Sequence, residues 1–125
     1  MQAIAKLIRQ VERGVNFSTL VQFEKASGLP MAAIGELLQI PQRTMARRKA
    51  KGRLSAAESE RLLRISGLFQ KALRLFEGDA PAARVWFTRP KRALGHETPL
   101  AYARTEIGAR EVEALIERLE HGVFS

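Results

Sequence analysis

Apolar residues recur along this chain at helical spacing, and glycine, proline or a capping residue stands wherever that periodicity lapses. Ile4, Leu7, Ile8 and Val11 predict a helix over 2–13, stopped by Gly14. After the connector Val15-Asn16-Phe17-Ser18, Ser18 is placed to cap a helix over 19–27 with Leu20, Val21 and Phe23 on one face. Pro30 opens a helix over 31–38 with Met31, Ile34, Leu37 and Leu38 inward. A further helix over 42–50 turns Met45 inward. Ser55-Ala56-Ala57-Glu58 is a capping box and opens the longest helix, 56–76. Its wide apolar face, Leu62 to Phe76, reads as core, in part as a dimer seam.

Asp79 caps a helix over 80–88 that carries Val85, Trp86 and Phe87. A Pro/Gly loop over 89–97 follows. Thr98-Pro99 starts a helix of one or two turns to Arg104, and a final helix over 106–121 spaces Ile107, Ala109, Val112, Leu115, Ile116 and Leu119 as an apolar face. No strand alternation runs beyond a few residues, so the expected fold class is all-α. Two halves are expected, 1–66 and 67–125.

The stretch Met31–Arg53 organises the first half. It reads as two short helices with a tight joint at Gln39-Ile40-Pro41-Gln42, the second studded with cations. Arg43, Arg47, Arg48, Lys49, Lys51 and Arg53 lie there without one acid. A small apolar helix pair presenting a basic second helix is the pattern of a DNA-binding helix-turn-helix. Gln42, Arg43, Thr44, Arg47, Arg48, Lys49, Lys51 and Arg53 are therefore the expected DNA-binding set. Gln and Arg suit base edges, and Thr, Lys and further Arg suit phosphates. Three details stay open. Gln39 stands where many such joints use a glycine at positive φ. Gly35 reads as a close-packing residue or as a tolerated glycine. Arg48 falls where an apolar residue is common, so either Arg47 or Arg48 reaches the bases.

Charge separates the halves. The net +8 is concentrated in residues 1–68, where 12 cations face 5 acids; residues 105–125 carry −3. A basic front suits a polyanion, and an acidic terminal helix implies a different partner. Cysteine is absent, which removes disulfide and thiolate chemistry and fits a reducing cytosol. No apolar run approaches the roughly 20 residues that span a bilayer, and MQAIAKLIRQVER is too charged for a secretory signal. His96 and His121 are the two histidines and sit in no metal-ligand spacing. No phosphate loop or nucleophile–base pair occurs, so no catalytic residue, cofactor or metal is expected, and the chain reads as a binding protein rather than an enzyme.

The back half adds a specific pattern. Leu94-Gly95, Thr98-Pro99-Leu100, Thr105-x-x-Gly108-Ala109-Arg110-x-Val112 and Ile116-x-x-Leu119-Glu120-His121-Gly122-Val123 resemble the C-terminal toxin-binding domain of the Xre/MbcA/ParS antitoxins. Arg43-Thr44-x-Ala46-Arg47-Arg48 and Arg53-Leu54-Ser55-x-x-Glu58-Ser59 are similar to the middle of that family. The resemblance implies a cytoplasmic bacterial antitoxin, nucleoid-associated when bound to DNA. Its partner would be a RES-domain toxin that degrades NAD⁺. Its C-terminal domain would cover the toxin's active site, and its helix-turn-helix would bind double-stranded promoter DNA. It also implies a homodimer within a toxin–antitoxin hetero-oligomer.

The toxin-binding set expected on that basis is Arg104, Thr105, Gly108, Arg110, Glu111, Arg118, Glu120, His121, Gly122, Val123 and Phe124. Plainer readings stand beside it. Gly108 and Gly122 serve as helix punctuation, Arg110 pairs with Glu106 or Glu113 on the surface, and Trp86 anchors the core. The rival functions are a stand-alone regulator whose back half only dimerises, and an inhibitor with a vestigial DNA module.

Overall fold

The computed structural model describes residues 2–122, and every regular element among them is helical. The order is α1 (Gln2–Arg13), α2 (Phe17–Ser27), α3 (Met31–Leu38), α4 (Gln42–Lys51), α5 (Ala56–Leu75), α6 (Ala80–Thr88), a 3₁₀ turn (Arg92–Leu94), α7 (Pro99–Tyr102) and α8 (Glu106–Glu120). The fold is all-α, with a helix-turn-helix domain followed along the chain by a second helical domain. The chain groups into two compact units. The first takes the residues up to Lys25 together with Leu29–Leu63; the second takes Ala26–Gly28 and the residues from Arg64 onward.

In the first unit Phe17, Leu20, Phe23, Ile34, Leu37, Leu38, Ile40, Leu54 and Leu62 are buried and form the core. Two chain segments lie alongside each other there. The Leu54 N–H donates to the Val15 carbonyl at 3.0 Å, and the Phe17 N–H to the Gly52 carbonyl at 2.9 Å. The Val15 N–H donates to Ser59 Oγ at 2.8 Å, so the segment after α4 is tied to the one before α2. This pairing explains one departure from the sequence reading. α2 begins at Phe17, two residues early, because the Phe17 N–H finds its partner outside the helix. Ser18 therefore lies exposed in the first turn instead of capping it.

The capping box forms as read: the Ser55 N–H donates to Glu58 Oε1 at 2.9 Å and the Glu58 N–H to Ser55 Oγ at 3.2 Å. α1 stands apart energetically. None of its residues is buried, and Ile4, Leu7 and Ile8 are about half exposed or more. Burial against this chain therefore does little to hold it, and a helix this short is marginal alone in water.

In the second unit Ile65, Leu68, Phe69, Ala72, Ala83, Phe87, Leu94, Ala103, Ala109, Val112 and Ile116 are buried. Phe69 and Phe87 stack tilted at 5.8 Å between ring centroids, and Trp86 meets Phe87 edge-on at 5.4 Å. Asp79 caps α6 through the Ala82 N–H at 3.1 Å, and Thr98 caps α7 through the Ala101 N–H at 3.0 Å. α7 is a single turn, within the one or two turns read, and it ends at Tyr102 rather than Arg104 because the chain leaves the helix at Ala103 before Thr105 starts the next one.

Candidate functional site

The joint between α3 and α4 is closed by backbone geometry. Gln39 takes the left-handed conformation, φ 58° and ψ 42°, and its N–H donates to the Glu36 carbonyl at 3.1 Å. The Ile40 N–H returns to the Gly35 carbonyl at 2.8 Å, which ends α3 and buries the Ile40 side chain. The Leu38 carbonyl, left without an intrahelical donor, accepts from Arg61 Nη1 at 3.0 Å. Gly35 is buried, and a Cβ there would stand 3.3 Å from the Ile40 carbonyl oxygen and 3.4 Å from Met45 Cε. The close-packing reading of Gly35 describes this geometry. An apolar hollow of about 640 Å³, bordered by Met31, Gly35, Ile40 and Met45, opens beside the joint.

On α4, successive residues advance about 100° around the axis. Arg43 and Arg47 thus lie nearly opposite Met45 and about 40° apart, with the small Ala50 and Ala46 beside Arg43 on the side away from Arg47. Arg47 Nη2 donates to Thr44 Oγ1 at 3.2 Å, which orients the guanidinium along the helix. Gln42, Arg43, Arg47, Lys49, Lys51 and Arg53 are exposed, and Thr44 is half-buried. Arg53 also donates from Nη1 to the Gly14 carbonyl at 2.6 Å, so part of its hydrogen-bonding capacity is spent inside the unit.

Arg48 is placed differently. Its Nε and Nη2 donate to Glu58 Oε1 and Oε2 at 2.8 and 3.1 Å. Glu58 is buried at the start of α5, with Ser55 as its second partner. Burial pushes the Glu58 carboxyl up. The Arg48 hydrogen bond, the Ser55 N–H and the Arg48 charge outweigh that, and the carboxyl lies below its ordinary 4.5. The same hydrogen bond raises Arg48. This paired guanidinium joins the end of α4 to the start of α5, and it is drawn away from the Arg43–Arg47 face.

In the second unit the expected toxin-binding residues divide into several kinds. Thr105 is an N-cap: its Oγ1 accepts from the Gly108 N–H at 3.0 Å. Gly108 is buried, and a Cβ there would overlap the Tyr102 carbonyl oxygen, so the glycine lets α8 approach the end of α7. Arg104 Nε donates to the Ala101 carbonyl at 3.1 Å. Arg110 pairs with Glu106 at 2.9 Å, both well exposed, while Glu113 takes Lys71 as its partner. Glu111, Arg118 and Glu120 are exposed. His121 Nδ1 lies 2.8 Å from the Glu117 carbonyl, and Gly122 follows at φ 71°. Val123 and Phe124 lie outside the described residues.

Beside them Lys91 sits over the Trp86 ring at 5.2 Å from its centroid. Burial, with help from the Arg89 charge, lowers the Lys91 ammonium below its ordinary value. Trp86 is half-buried, an anchor with one face turned to Lys91.

One residue was placed wrongly by periodicity. Ile107 falls within the apolar set of α8 in sequence, yet it is 80% exposed. The buried stripe runs through Ala109, Val112 and Ile116, and Ile107 projects about 170° from its centre, on the opposite side of the helix. That angle is readable from sequence once the stripe's centre is known.

Comparison with known proteins accords with this layout. Residues 6–67 match the family model for the antitoxin Xre-like helix-turn-helix domain. Residues 71–122 match that for the antitoxin Xre/MbcA/ParS C-terminal toxin-binding domain. The chain is 38% identical over 120 residues to an antitoxin Xre of Yersinia enterocolitica, covering 95% of this chain and 81% of that protein. It is 41% identical over 116 residues to an antitoxin Xre of Photorhabdus laumondii, covering 92% and 72%. A chain of the crystal structure of the M. tuberculosis MbcT–MbcA toxin–antitoxin complex superposes with TM-score 0.67 at 26% identity, over 86% of this chain and 96% of that one. With a helix-turn-helix that exposes an arginine face and a second unit matching the toxin-binding domain, this chain belongs to the Xre/MbcA/ParS family of antitoxins, with a helix-turn-helix DNA-binding domain.

Proposed function

We propose that this antitoxin neutralises a RES-domain toxin that degrades NAD⁺ by covering its active site, and represses its own operon by occupying promoter DNA. Residues 1–66 act on DNA and 67–125 on the toxin. The protein works in the bacterial cytoplasm and at the nucleoid when DNA-bound. Both actions are steric, and neither requires chemistry from this chain.

The observation that carries the DNA half is the α4 face. Arg43 and Arg47 stand exposed on the side of α4 opposite Met45, with the small Ala50 and Ala46 next to Arg43, so a groove floor can come close. Each guanidinium can make paired hydrogen bonds to guanine O6 and N7, with Gln42 suited to adenine. Lys49, Lys51 and Arg53 serve phosphates, and Arg48 holds the helix in place through Glu58. Two such units on one operator require a dimer, since helix-turn-helix proteins bind paired half-sites. The exposed Ile4, Leu7 and Ile8 of α1 are the apolar surface we assign to that second copy.

Two measurements made together test the proposal. The antitoxin is mixed with the toxin encoded beside it and NAD⁺ consumption is followed; separately, binding to its own promoter is compared with a random duplex of equal length at fixed salt. Suppressed NAD⁺ loss and preference for the promoter are expected. Uninhibited NAD⁺ loss, or equal affinity for both duplexes, would remove the corresponding half. Salt dependence alone does not separate the cases, because both rest on phosphate contacts.

A further inference from the structure

A hollow of about 290 Å³ lies at the start of α8, between Tyr102, Ile107, Gly108 and Glu111. Ile107 forms one wall and is among the most exposed large apolar side chains of the described residues. Folding gains little from it: its side chain is in water, and the α8 stripe packs without it. Glu97 and Glu111 border the same hollow, and neither pairs with a cation among the described residues. Along α8, Glu111 follows Ile107 by four positions and Arg118 by eleven, so the three share one face, turned away from Val112 and Ile116. The hollow owes its floor to Gly108, whose missing side chain lets α8 lie against Tyr102.

We propose that Ile107 is the apolar anchor by which the second unit grips its toxin, and that the toxin presents to this hollow an apolar side chain flanked by a cation. This rests on the toxin-binding reading of the unit and goes further by naming its contact. Charge complementarity selects the partner's chemistry: Arg104 also borders the hollow, but two carboxylates against its one guanidinium leave the rim net negative, which favours Lys or Arg beside a hydrophobic group. Anchors that fill partner pockets carry most of an interface's affinity, and the surrounding charges set its approach rate and fidelity. The match of residues 71–122 to a toxin-binding domain selects the toxin as occupant over a second copy of this chain.

The test uses the full-length antitoxin and the purified toxin encoded beside it. Binding is measured for the wild type and for Ile107→Asp, Ile107→Leu and Glu111→Arg, with promoter affinity, oligomeric state and melting temperature recorded for each. Ile107→Asp is expected to weaken toxin binding by about 100-fold or more, and Glu111→Arg by about tenfold, mostly in the association rate. Ile107→Leu should stay within about threefold of the wild type, and all three should melt and bind promoter as the wild type does. Should Ile107→Asp bind the toxin as the wild type does, the anchor assignment fails while the toxin-binding reading stands. Failure of the wild type itself to bind would remove the reading and the anchor together. A change in self-association in place of toxin affinity would also overturn it, making Ile107 a contact between copies.

Discussion

Arg48 reaches from the end of α4 to Glu58 at the start of α5, placing two of its three guanidinium nitrogens, Nε and Nη2, on the two carboxylate oxygens. The pair is bidentate, an arrangement in which an arginine cannot be exchanged for lysine without loss. It separates two roles among residues that look alike in sequence. Arg43 and Arg47 face outward, where we propose that they meet DNA; Arg48 ties the helix that carries them to Glu58.

The first expected outcome follows from that division. Arg43→Ala and Arg47→Ala should each reduce discrimination between promoter and random duplex by roughly 1–3 kcal/mol, with little change in melting temperature. Arg48→Ala should lower the melting temperature, and Arg48→Lys should restore it only in part. Competition binding together with thermal denaturation checks this. Equal stability of the three alanine variants would mean that Arg48 anchors nothing.

Stability should depend on pH through Glu58. Its carboxyl lies below 4.5 in the folded chain and near the ordinary value when unfolded, so the unfolded chain binds the proton more readily. The stabilisation is present above about 4.5 and is lost as pH falls through the lower folded value. Glu58→Gln keeps the shape without the charge. The urea midpoint of the wild type should fall between pH 6 and pH 3 more steeply than that of the variant, by about 1 kcal/mol of stability.

Gly108→Ala should be costly. The added Cβ would overlap the Tyr102 carbonyl oxygen, and a backbone atom cannot rotate away. A loss of about 3 kcal/mol is expected from overpacking of this kind. Calorimetry of the variant reads it directly. Loss of toxin affinity in proportion to the lost stability would assign Gly108 to packing; full stability with lost affinity would assign it to the interface.

Gln39 holds a left-handed conformation that a side chain disfavours. Gln39→Gly should raise stability by about 0.5–1 kcal/mol, after the extra freedom of the unfolded glycine is subtracted. A lowered melting temperature would indicate that the glutamine side chain contributes something else at the joint.

The exposed stripe of α1 gives the proposed dimer a test. Ile4→Asp with Leu7→Asp should shift the sedimentation of the free antitoxin toward a monomer and weaken operator binding more than it weakens toxin binding. Unchanged sedimentation would place the contact between copies elsewhere.

Much of this protein is written locally. Helix spacing, the Ser55–Glu58 box, the Asp79 and Thr98 caps, and the cation cluster on α4 all follow from neighbours within four residues. For that reason the elements and the basic helix are legible in the chain itself. The family pattern between Leu94 and Val123 is legible for another reason, since it is a direct likeness of residues. What the sequence could not decide depends on groups far apart in the chain. Arg48 meets Glu58 ten residues away, and Arg53 meets the Gly14 carbonyl at a separation of 39. Both arginines look like their exposed neighbours until those acceptors are in place. Ser18 lost its capping role to a carbonyl at Gly52, and Ile107 left the core because packing chose the side of α8 that carries Val112. Periodicity along one helix identifies an apolar set; only the surface packed against it selects which members are buried and which remain for a partner.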